Sequence, residues 1–192
     1  MRVPIARCSV LLPLLAIGCA DHHGPGSTPG GQVLGVVAFE SRLLIDLDLS
    51  DAVSATTADF DRDGLIDVAA VDQDGALVLR LGQGGGSFAT SQTLVGPATA
   101  FKVHAGDLDG DGSTDLVVAS RDGGVGVWIN DGLGQLAAGT PVGVGTNVTD
   151  LALADADGDG VLDLVVVRLG GGGALWFRGV GDGNFLSPIT RP

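Results

Sequence analysis

The sequence predicts an all-β fold built from three similar four-stranded units, and three observations carry that prediction. An aspartate-rich loop recurs: DFDRDGLID begins at Asp59, DLDGDGSTD at Asp107 and DADGDGVLD at Asp155, so the step is 48 residues both times. Each loop leads into a short apolar run rich in β-branched residues, Val68-Ala69-Ala70-Val71, Leu116-Val117-Val118-Ala119 and Leu164-Val165-Val166-Val167. The 33 glycines follow no collagen-like triplet and so supply turns.

The elements follow in order. The runs after the loops are short and bounded by turn residues, which predicts buried strands over helices. A glycine-bearing turn then leads to a second strand, Ala76 to Leu81, Val125 to Ile129 and Ala174 to Phe177. Trp128 and Trp176 are read as equivalent positions, with Arg80 in that place in the first unit. Packing between neighbouring units is the expected role of both tryptophans, ahead of a ligand-stacking platform. Two extended segments precede each loop: Phe39 to Leu47 and Val53 to Ala58, Phe88 to Leu94 and Thr99 to Ala105, Leu136 to Val142 and Val148 to Ala154. Four strands in 48 residues fit a propeller blade. A sheet apolar on both faces must stack on neighbours, and continuous apolar runs without polar alternation are what two-sided burial predicts. Because the pattern starts on an outer strand at Phe39 and stops within the equivalent Phe185 to Ile189, three blades in permuted register are expected.

Composition narrows the partners. Hydrophobic residues make up 45 % of the chain, enough for a packed core. A net charge of −13, no tyrosine and a single lysine, Lys102, exclude nucleic acid and anionic membrane surfaces as partners. Residues 1–18 read as a targeting leader: Arg2 and Arg7 are basic, and Val10 to Ile17 is too short to span a bilayer. The end of that leader, Leu15-Ala16-Ile17-Gly18-Cys19, resembles a bacterial lipobox, which implies export and a lipid on Cys19 as the only membrane link. Ala20 follows in place of an aspartate, and by the same resemblance this favours the outer membrane of the cell envelope. Cys8 would leave with the leader, so no internal disulfide is available. Residues 19–32 read as a flexible tether whose His22-His23 pair is solvated, and 33–192 as the three blades.

The loops carry the chemistry. Aspartates stand at positions 1, 3, 5 and 9: Asp59, Asp61, Asp63 and Asp67; Asp107, Asp109, Asp111 and Asp115; Asp155, Asp157, Asp159 and Asp163. Calcium takes six to eight hard oxygen ligands, and alternate side chains of a tight loop can converge on one point. Gly64, Gly112 and Gly160 at position 6 allow a positive φ, which turns in the position-7 carbonyl of Leu65, Ser113 and Val161. Two carboxylates 4 Å apart repel by about 1 kcal/mol in water and about 4 kcal/mol at an effective dielectric near 20, so four on one loop call for a cation. One Ca2+ per loop, three in all, is the expectation. An EF-hand-type loop needs an acid at position 12 on a following helix. Position 12 here is Ala70, Val118 or Val166, so that alternative fails.

The pattern D-x-D-x-D-G-x-x-D followed by an apolar strand, as in DLDGDGSTDLVVAS, resembles the FG-GAP or VCBS repeat of integrin α-subunit propellers and many bacterial surface proteins. The resemblance covers about residues 33–192. It implies β-propeller blades with each loop holding one Ca2+ between the first two strands of a blade. Propellers usually have 4–8 blades, so a chain with three is expected to be a fragment of a longer propeller, an open stack, or one half of a ring completed by a second copy. A non-enzymatic binding or scaffold module with a protein or glycan partner is the leading functional expectation. The alternative is a propeller-based polysaccharide hydrolase or lyase working at the central channel. That alternative needs convergent polar residues unique to one repeat; His104, the only repeat histidine, reads as structural. The stretches Gly82 to Gly86 and Gly170 to Gly173 lack the Lys-Ser/Thr of a phosphate loop and read as turns.

Overall fold

The computed structural model describes residues 45, 47–49, 51–170 and 173–188. The leader, Cys19 and the tether lie outside them, as does most of the segment Phe39 to Leu47, of which Ile45 and Leu47 belong to no strand. Twelve strands, and among the described residues no helix, form three antiparallel sheets.

The first blade runs in sequence order, β1 (Ala52–Ala58), β2 (Asp67–Asp72), β3 (Ala76–Gly82) and β4 (Phe88–Val95). The second is β5 (Ala100–Gly106), β6 (Asp115–Ser120), β7 (Gly124–Asn130) and β8 (Leu136–Ala138), with β9 (Val142–Gly143) also paired to β7. The third is β10 (Val148–Ala154), β11 (Asp163–Arg168) and β12 (Gly173–Phe177). A single bridge between Gly179 and Phe185 stands where a fourth strand would begin. The ladder between first and second strands slips at Ala52/Ser54, Ala100/Lys102 and Val148/Asp150, so even the bulge keeps the repeat step.

The apolar runs are continuous because the middle strand serves two cores. Leu116 and Val118 of β6 point towards the first blade and pack with Ala69, Val71, Leu77 and Leu79. Val117 and Ala119, on the opposite face, pack with Val148, Leu151, Leu164 and Val166 of the third. Each fully buried valine or leucine contributes about 1.5–3 kcal/mol, so the two inter-blade cores hold the stack together. The Asp-rich loops connect the first strand of each blade to the second, at one end of the sheets.

Two sequence readings are corrected. Trp128 is opposite Leu116 and only 5 % exposed within the core between the first two blades. Its register counterparts are Arg80, opposite Val68, and Phe177, opposite Leu164, not Trp176. β3 and β7 each begin four residues after the preceding strand ends, at Ala76 after Asp72 and at Gly124 after Ser120, whereas β12 begins five after, at Gly173 after Arg168. Since side chains alternate with period two, one added residue turns Trp176 onto the opposite face. There it lies opposite Val165, half-buried, and its Nε1 has no hydrogen-bond partner among the described residues. The expected strand from Leu136 to Val142 is also divided. Gly139 N donates to Val127 O at 2.9 Å, but Pro141 has no N–H to continue the ladder, and β9 resumes in shifted register.

Candidate metal centres

Each loop is shaped by its own carboxylates before any ion is considered. At position 1, Asp59, Asp107 and Asp155 accept through Oδ2 the N–H of the position-6 glycine, at 2.9, 3.0 and 3.0 Å. Gly64, Gly112 and Gly160 have φ of 85°, 83° and 87°, the left-handed conformation in which a Cβ is strained. Position 4 is left-handed as well, filled by Gly110 and Gly158 in two loops but by Arg62, with φ 60°, in the first.

Position 9 has a second duty. Asp67, Asp115 and Asp163 are fully buried. In each, Oδ2 accepts the N–H of position 2 (Phe60 at 2.6 Å, Leu108 at 2.8 Å, Ala156 at 3.0 Å). Oδ1 accepts an N–H at the end of the third strand or two residues past it (Gly82 at 2.7 Å, Asn130 at 2.8 Å, Gly179 at 2.9 Å). The carboxylate therefore fastens both the start of its loop and a neighbouring strand. Burial pushes the Asp115 carboxyl up to about 6, against the lowering effect of those two amides. Burial likewise raises Asp61, with the charges of Asp63, Asp67 and Asp59 adding to the effect.

One ligand atom each from Asp59, Asp61 and Asp67 lies within 4.8 Å of the others, and the same holds for Asp107, Asp109 and Asp115 and for Asp155, Asp157 and Asp163. These three aspartate triads can hold metal ions. Two oxygens on one Ca2+, at 2.3–2.6 Å each, lie at most about 5 Å apart, so the spacing and the all-oxygen donor set fit a hard cation. Asp63, Asp111 and Asp159 at position 5 stand outside the triads. Their Oδ1 atoms accept the N–H of Leu65, Ser113 and Val161 at 2.7, 2.5 and 2.9 Å. Position 12 (Ala70, Val118, Val166) is fully buried strand, with no acid there.

Three polar residues that the sequence pattern did not single out join this array. Asn130 donates through Nδ2 to Phe60 O of the first loop (2.8 Å) and to Thr114 O of the second (2.9 Å). Arg62 reaches from the first loop to Asp111 O (3.0 Å) and Ser113 Oγ (2.7 Å) of the second. Arg178 donates to Asp157 and Asp159 within the third loop. Arg62 carried a signal, an arginine where the other loops have glycine; Asn130 and Arg178 carried none. Elsewhere Lys102 pairs with Asp150 at 2.6 Å across the first strands of neighbouring blades. His104 beside them is half-buried with its Nε2 unpartnered, and burial lowers its pKa.

The sequence matches the family described as FG-GAP-like repeat over residues 59–118 and again over 107–166, each window holding two successive Asp loops. No curated protein matches it. Among solved structures, a lectin from Agrocybe aegerita, described for its specific recognition of non-reducing terminal N-acetylglucosamine, is similar, with a TM-score of 0.53 and 24 % identity. The likeness covers 70 % of this chain but 37 % of the lectin, so the chain spans little more than a third of its length. At that identity the likeness speaks for the β-propeller type of fold alone. With three Asp loops at one period, and a match that spans all of them, the chain belongs to the FG-GAP-like repeat family.

Proposed function

We propose that the chain is a calcium-binding, non-enzymatic binding or scaffold module, exported and held in the cell envelope by a lipid on Cys19, with one structural Ca2+ in each loop. The convergence of three buried-anchored aspartate triads at a single sequence period is the observation that carries this reading. The donors are all oxygen, the ligating geometry is braced by backbone amides, and each triad gathers like charge that a cation relieves. Extracellular calcium sites are typically weak, with Kd about 10⁻⁴ to 10⁻³ M. At 1 mM calcium and a Kd near 0.1 mM, each site stabilises the fold by about 1.4 kcal/mol. The partner is a protein or a glycan.

A thermal melt of the chain in EDTA, in millimolar Ca2+ and in millimolar Mg2+ tests it. The expected result is a calcium-specific rise in melting temperature; no rise, or an equal rise with magnesium, would sink the calcium reading.

Completion of a ring by a second copy is a further part of the proposal. The outward face of the third blade supports it, with Val167 42 % exposed beside Trp176. Light scattering in calcium decides this: a dimeric mass supports the ring and a monomeric mass removes it.

A further inference from the structure

The three loops share one motif, yet the cations around them differ. In the third, Arg178 donates from Nε to Asp157 Oδ2 at 2.7 Å and from Nη2 to Asp159 Oδ2 at 2.6 Å. The Oδ1 atoms of the same two residues are already engaged, by Asp159 N at 3.2 Å and Val161 N at 2.9 Å. The guanidinium therefore occupies the oxygens that the loop leaves open, and Asp157 is a member of the triad. In the second loop the nearest cation, Arg62, bonds Asp111 O and Ser113 Oγ and stands 3.6 Å from Asp111 Oδ1, at the rim. In the first, none of Asp59, Asp61, Asp63 and Asp67 has an ion-pair partner among the described residues.

Register explains the difference. Gly82, Asn130 and Gly179 make the same bond to the position-9 carboxylate, so Arg178 corresponds to Leu81 and Ile129. An apolar residue in two blades is replaced by a cation in one. Its planar fork suits two carboxylate oxygens at once, which a point charge on a flexible stem does not match.

We infer that Arg178 is a tethered competitor for the metal in the third loop and sets that centre apart as the weakest of the three, an inference that rests on the metal reading above. A metal ion entering there must displace two ion-pair contacts, and once it is bound the arginine is repelled. Exposed contacts of this kind are individually modest, and two of them amount to roughly a fivefold loss of affinity or more.

The position-6 glycine amides give one reporter per loop, since each donates to the position-1 carboxylate of its own loop. Calcium titration of the 15N-labelled full chain, followed at Gly64, Gly112 and Gly160, is the test. Gly160 should respond at a calcium concentration about fivefold or more above Gly64. In Arg178→Gln its midpoint should fall by that factor with Gly64 unchanged, and Arg178→Lys should lie between. Arg178 is 45 % exposed, so both variants are expected to fold. A Gly160 midpoint that moves in neither variant, while the amide itself responds to calcium, overturns the inference and leaves the metal reading intact. If none of the three amides responds in any of the proteins, the metal reading fails and the inference with it.

Discussion

Removing the position-9 carboxylate should damage the fold even where no metal is available, whereas removing the position-5 carboxylate should matter only with metal. Asp115 is fully buried and accepts Leu108 N and Asn130 N at 2.8 Å each. Asp115→Ala removes a buried charge, which is favourable. It also strands two buried N–H groups, each costing about 1–3 kcal/mol, and ends two hydrogen bonds to a charged acceptor. It leaves a small cavity beside Leu116 as well. The net expectation is a loss of about 2–4 kcal/mol in EDTA. Asp111 is exposed, and its main hydrogen bond is a local one to Ser113 N, so Asp111→Ala in EDTA should leave the unfolding midpoint unchanged. Urea denaturation followed by the fluorescence of buried Trp128 reads both variants, in EDTA and in millimolar calcium. In calcium both should lose the metal-linked part of stability. Equal midpoints for the two variants in EDTA would refute the assignment of a structural duty to position 9.

Further outcomes follow from the same structure. Trp128→Ala should cost about 3–5 kcal/mol, because the indole fills the core between the first two blades, while Trp176→Ala, on the outward face, should cost distinctly less; urea midpoints compare them. Gly126→Ala should destabilise by about 1–3 kcal/mol, since a Cβ there meets the Trp128 ring, and the loss should shrink when Trp128 is also replaced by leucine. For Asp115 the folded pKa, about 6, lies above the ordinary value of 3.8, so the fold disfavours the charged form. Its contribution is most unfavourable above pH 6 and is relieved as pH falls towards 4. The chain in EDTA should therefore gain about 1 kcal/mol between pH 7 and pH 5 from this residue, read as the difference between the parent chain and Asp115→Asn in urea titrations at the two pH values.

Much of this protein is written locally. The loops were legible because each sets carboxylates at alternate positions around a left-handed glycine, and both leave a fixed pattern such as DLDGDGSTD. The strands beside them were legible because burial on two faces demands runs such as Leu116-Val117-Val118-Ala119, and the period was legible because each blade solves the same packing problem. What the sequence could not supply was register and reach. Trp128 and Trp176 sit one repeat apart in number, yet the one extra residue between β11 and β12 places them on opposite faces; only strand pairing decides which side chain lies across from which. Asp67, Asp115 and Asp163 read as metal ligands alone, and their second role depends on amides at the end of the third strand or two residues past it, 15 or 16 residues away, closing onto them. Arg62, Asn130 and Arg178 fit no local motif, because their partners are brought to them by the stacking of blades or the folding back of a strand. Local chemistry determined the three centres; the tertiary packing decided how each is braced and which of them already holds a cation of the chain's own.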